Sequence, residues 1–116
     1  MLSLAPQVRV FVCTQPTDMR KSFDGLSGLV ATVFEVELLS GHLFVFFNRR
    51  RDRIKILAWD RDGLCLWYKR LEAGTFQVPS ATAQGLELDA TELSLLLSGI
   101  DLSSAQRRKR FQLPAA

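Results

Sequence analysis

The sequence predicts a single α+β domain, an antiparallel β-meander with one face packed against two helices, in the order β-α-β-β-β-(β)-α. Three observations carry this reading. Runs of β-branched and aromatic residues recur at strand length, two stretches repeat their apolar residues at helical spacing, and turn-forming residues fall between them.

The elements follow in order. "VRVFVC" (residues 8–13) is a strand rich in β-branched and aromatic side chains. "TQPTD" supplies turn chemistry, with Thr17 or Asp18 placed to cap a helix. Apolar residues then return at Met19, Phe23, Leu26, Val30 and Val33, which share one helical face, so a helix is expected over residues 19–37. Gly25 and Gly28 within it cost stability, which close packing against a sheet would explain. "LFVFFN" (43–48) is apolar on both faces and reads as a central strand, and "RIKILAWD" (53–60) begins by alternating basic and apolar residues, as a half-buried strand does. "RDG" (61–63) is a hairpin signal, and "LCLWYKRLE" (64–72) is the returning strand. "AGTFQVP" (73–79) is expected to add a short edge strand closed by Pro79. "SATAQG" is a polar loop. "DATELSLLLSG" (89–99) opens with a capping box of Asp89 and Glu92 and stops at Gly99, giving the second helix. Residues 1–102 form the expected domain, and residues 103–116 a flexible basic arm.

A chain of 116 residues, 47% hydrophobic and 23% charged, can bury a core without disulfides or metal. Cys13 and Cys65 lie in strand-like runs and read as buried thiols of a reduced cytoplasm. "MLSLAPQVRV" has no basic leader, and no apolar run approaches the ~18 residues that span a membrane. A cytoplasmic protein is expected. Enzyme signals are poor. His42 sits in a turn, Ser22 and Ser40 have no nucleophile-elbow context, Asp60 and Asp62 flank a turn arginine, and the 12 acidic residues are scattered. No catalytic residue, cofactor or metal site is expected.

Charge placement is the informative feature. The net charge is only +3, yet nine of the fifteen basic residues lie in two short segments. One is the "NRRRDRIK" tip, with Arg49, Arg50, Arg51, Arg53 and Lys55. The other is Arg107, Arg108, Lys109 and Arg110. Such patches attract polyanions by steering and counterion release, and arginine is the cation suited to bidentate phosphate contact. Along the third strand Arg53, Lys55, Leu57 and Trp59 share a face, while Ile54, Ile56 and Ala58 face the core. A two-residue loop at "RDG" brings Arg70 and Tyr68 near Lys55 and Leu57, whereas a three-residue loop brings Lys69 and Trp67. Either way cations face cations beside aromatics, a strain that a bound polyanion would relieve, with Trp59 open to stacking on a base. Long basic side chains lying over a half-exposed sheet are the plainer alternative. Arg20 and Lys21 fall in the first turn of the expected helix, where the dipole disfavours cations and the N–H groups favour an anion.

Three blocks, "PTDMRKSFDGL" (16–26), "SGHLFVFFNRRRDRIKIL" (40–57) and "WDRDGLCLWYKRLEAGTF" (59–76), resemble the TnpB-type accessory proteins of bacterial insertion sequences of family sixty-six. "ELSLLLSGIDL" (92–102) and the "RRKR" tail match the ending of that family, so the resemblance spans about residues 8–110. It implies a helper in transposition, encoded beside a separate DDE-type transposase that performs strand transfer. The expected partners are DNA at the element ends and that transposase, either through the basic tip binding phosphates or through the tip docking on an acidic protein surface. No membrane partner is expected, and a homo-oligomer is left open. The family supplies no assigned catalytic residues, so the candidate contacts remain Arg20, Lys21, Arg49, Arg50, Arg51, Arg53, Lys55, Trp59, Lys69, Arg70 and the four tail cations.

Overall fold

In the computed structural model, which describes residues 7–82 and 85–102, five strands form one mixed sheet in the order β4-β3-β2-β1-β5. The strands are β1 (Arg9–Val12), β2 (Leu43–Phe47), β3 (Arg53–Asp60), β4 (Gly63–Arg70) and β5 (Leu86–Asp89), and the helices are α1 (Phe23–Val33) and α2 (Ala90–Leu97). β2, β3 and β4 make the expected antiparallel meander. From β1 the chain crosses over through α1 to reach β2, so the two strands lie parallel, as parallel neighbours need such a crossover. On its other side β1 pairs antiparallel with β5.

The two helices lie on opposite faces of the sheet, not on one face as expected, because the β1-to-β2 crossover puts α1 on the side away from α2. Leu26 and Val30 of α1 pack with Phe11, Cys13, Phe44, Phe46 and Leu57, while Leu93 and Leu96 of α2 pack with Val10, Val12, Val45, Phe47, Ile54 and Ile56. Every residue of β2 is consequently buried, which is why "LFVFF" is apolar throughout instead of alternating.

α1 is shorter than its apolar spacing suggests. At its start Asp18 accepts the Arg20 N–H at 2.9 Å and closes a turn, and Ser22 becomes the N-cap without a side-chain bond. At its end Phe34 turns extended and drops its ring among Phe11, Phe44 and Phe46. The glycines do not mark close approach to the sheet. A Cβ on Gly25 would meet the Lys21 side chain at 3.1 Å, and one on Gly28 would meet nothing.

The expected edge strand over residues 73–79 is absent. Phe76 is buried there, but its N–H goes to the Arg51 carbonyl at 2.7 Å, so the segment braces the β2-β3 turn and joins no ladder. The edge strand is instead β5, from residues 86 to 89, just before α2. Cys13 is buried as expected, whereas Cys65 is exposed, on the sheet-edge strand β4.

Asp89 ends β5 and caps α2. Its carboxylate accepts the Glu92 N–H at 2.7 Å and the Glu92 side chain accepts the Asp89 N–H at 3.1 Å, the reciprocal box read from the sequence. Asp89→Ala removes a donor's partner at a helix of only eight residues. A loss of about 1–2 kcal/mol is expected, read as a fall in melting temperature of roughly 5–10 °C by circular dichroism.

Candidate nucleic-acid interface

The β2-β3 turn is built around Asn48. Its side-chain oxygen accepts the N–H groups of Asp52 (3.1 Å) and Arg53 (3.0 Å), and its amide donates to the Asp52 carboxylate. That bond, aided by the charges of Arg50 and Arg53, holds the Asp52 carboxyl below its ordinary range. Arg51 takes a left-handed backbone conformation, φ 57°, and its carbonyl receives the Phe76 N–H. The turn is thereby fixed from inside and braced from the side. Its acid is occupied by Asn48, and Arg49, Arg50 and Arg51 are exposed and form no ion pair among the described residues.

Topology gathers more charge at the same end. The Thr17 N–H bonds the Phe47 carbonyl at 2.8 Å, which lays the segment before α1 beside the turn. Arg20 and Lys21 thus stand near the base of β3. They precede α1 and are not in its first turn, so no helix-terminus phosphate site forms as expected. Arg20 instead chelates Asp18 at 2.7 Å, and this bonding holds the Asp18 carboxyl down at about 2. Lys21 is exposed. Arg53 and Arg70 sit directly opposite each other at the open ends of β3 and β4, with Arg53 reaching the Tyr68 hydroxyl at 3.3 Å and Arg70 holding Glu72 at 3.0 Å. The "RDG" loop has two residues, Arg61 and Asp62, and Lys55 faces Tyr68.

Lys55 is a correction. It is 5% exposed, and its ammonium donates to the carbonyls of Met19 (2.7 Å) and Lys21 (2.6 Å) and lies 4.6 Å from the Tyr68 ring centre. It ties β3 to the turn before α1 and presents no charge to a ligand. Trp59 is half-buried, on the α1 face at the far end of β3, away from the arginine turn. Lys69 points to the α2 face, opposite Arg70. Arg107, Arg108, Lys109 and Arg110 lie outside the described residues. Sequence reasoning missed two parts of the site. One is Asn48, whose role is signalled only by its place before an arginine run. The other is a cleft of about 250 Å³ beside the turn, lined by Thr14, Gln15, Phe47, Arg49, Arg51 and Val78 among others.

His42 is structural. Its Nδ1 accepts the Arg9 backbone N–H at 3.0 Å and its ring stands edge-on to Phe11. Among the described residues no group of three His, Cys, Asp or Glu side chains converges to hold a metal ion. No helix among them is long and apolar enough to cross a membrane.

The sequence profile of the family described as "IS66 Orf2 like protein" matches residues 8–107. The chain belongs to the IS66 Orf2-like family. Membership places it with the second open reading frame of an insertion sequence, and so with transposition. Relatives in Sinorhizobium fredii include the uncharacterized protein y4hO, 40% identical over 110 residues that cover 95% of this chain and 96% of the relative. The uncharacterized protein y4jC is 34% identical over 108 residues, 93% of this chain and 92% of the relative. No solved structure matches.

Proposed function

We propose that this IS66 Orf2-like chain is a non-catalytic accessory factor of transposition that binds DNA backbone through the arginine pole. The observation that supports it most is the fixed turn on which Arg49, Arg50 and Arg51 stand exposed and form no ion pair among the described residues. Arg53, Arg70 and Lys21 extend the positive surface over the end of the sheet, and like charges held this close repel unless a polyanion covers them. Phosphate contact is sequence-tolerant, so this surface positions the protein on a duplex and leaves sequence choice to other contacts. The basic tail segment would add reach along the backbone.

Fluorescence anisotropy with labelled duplexes tests the reading, comparing the element's terminal inverted repeat with scrambled DNA over a salt series. Binding that weakens steeply with salt is the expected result, and preference for the terminal repeat would make the protein an end-recognition factor. No binding at low salt would remove DNA as the ligand. The transposase would then be the partner to test, with Tyr68 and Arg53 as anchors of the kind that protein interfaces favour.

A further inference from the structure

β1 and β2 are parallel, so the loop after β1 and the turn after β2 leave the sheet at the same end. Between them lies the cleft of about 250 Å³ beside the arginine turn. In open sheets with parallel strands, the crevice outside the carboxyl ends is where ligands bind.

The walls of this cleft are held in place before any ligand arrives. The loop of residues 13–17 is pinned to β2 on both sides, the Cys13 N–H donating to the Val45 carbonyl and the Thr17 N–H to the Phe47 carbonyl, each at 2.8 Å. Asn48 closes the turn that carries Arg49 and Arg51. The bond from the Phe76 N–H to the Arg51 carbonyl anchors the segment that brings Val78 to the cleft. A site formed in advance loses little affinity to its own ordering.

The lining has two characters. Pro16 and Val78 supply apolar surface, and Thr14, Gln15, Arg49 and Arg51 supply polar groups. None of these four polar side chains has a hydrogen bond or an ion pair among the described residues. Their polar neighbours do, since Asn48 holds Asp52 and Arg20 holds Asp18. Unpaired donors and acceptors converging beside an apolar wall suit a ligand that is itself part apolar and part anionic.

We propose that this cleft receives one unpaired nucleotide at the end of a DNA strand. The inference rests on the DNA-binding reading above and adds a base site to it. Arg49 and Arg51 take the phosphate, the base lies on Pro16 and Val78, and its edge bonds to Gln15 and Thr14. A glutamine amide donates and accepts at once, as a base edge requires. A paired base is stacked inside the duplex and cannot enter a cleft, so only an overhanging or extruded one reaches it. The volume falls just below the ~300–1,000 Å³ of sites for drug-sized ligands, which suits a single nucleotide rather than a run of them.

Anisotropy titrations at fixed salt test this with a blunt duplex, the same duplex carrying a short single-stranded overhang of either polarity, and that overhang built from abasic residues. An overhang is expected to bind roughly tenfold tighter than the blunt end, about the effect of two net hydrogen bonds, and the abasic overhang to bind like the blunt end. The double variant Thr14→Val, Gln15→Ala should lose the preference for the overhang. Gln15 is exposed and Thr14 is half-buried, so the circular dichroism spectrum should not change. Equal affinity for blunt and overhanging DNA overturns the inference and leaves the proposed function standing. An abasic overhang bound as tightly as the intact one also overturns it, because the gain would then come from phosphate alone. So does a double variant that keeps the preference. Failure to bind any of these DNAs at low salt removes both the inference and the reading beneath it.

Discussion

Replacing Arg49, Arg50 and Arg51 together by alanine is expected to weaken duplex binding at low salt by about a hundredfold or more, taking roughly 1 kcal/mol per charge-assisted phosphate contact. The more telling readout is the slope of log affinity against log salt. It should flatten by roughly 0.9 for each phosphate that is no longer neutralised, so by up to about 2.7. The fold should survive, because the three side chains are exposed and make no ion pair among the described residues. Asn48 closes the turn through backbone N–H groups and Asp52 without using them. Unchanged slope with reduced affinity would mean that the arginines act through something other than phosphate neutralisation, and would count against the proposed function.

Lys55→Met should do the reverse, destabilising the domain and sparing the salt slope. The methionine keeps the apolar stem but loses the ammonium, which leaves the buried-side carbonyls of Met19 and Lys21 without their donor and Tyr68 without its cation. Hydrogen bonds to a charged group contribute about 1.5–3 kcal/mol, and a desolvated cation over an aromatic ring about 2. Allowing for relaxation of the turn, the net loss is expected at about 2–4 kcal/mol, a fall of roughly 10–20 °C in melting temperature. A variant that melts like the wild type would show that the turn before α1 holds itself. A variant of normal stability whose salt slope falls would return Lys55 to the DNA surface.

These two lysine and arginine cases show where sequence reading succeeds and where it stops. "RIKI" alternates basic and apolar residues whether its lysine reaches solvent or curls under a neighbouring turn. Only the crossover of β1 through α1 brings the carbonyls of Met19 and Lys21 within reach of Lys55. The arginine turn, by contrast, is legible because its charge is local and its turn chemistry is in the same five residues. β2, β3, β4 and the capping box at Asp89 are legible for the same reason, each being specified by near neighbours. β5 is not. Its four residues, LELD, alternate apolar and acidic side chains, but the run is short and lacks β-branched or aromatic residues, and pairing with β1 supplies what propensity lacks. The start of α1 is misread because Asp18 is as good a turn former as a helix cap, and Arg20 and Lys55 settle the choice from outside the helix.

The contact of Arg9 with Glu87, 78 residues apart, also imposes an order in time. Hairpins close short loops early, whereas pairing the first strand with the last must close almost the whole domain, and long-range contacts form late. On a chain leaving the ribosome, β1 emerges first and keeps one edge open until β5 has been made. The four residues of β5 then act as the latch that completes the sheet, so in pulse-labelling hydrogen exchange the amides of β1 and β5 should gain protection after those of β2, β3 and β4.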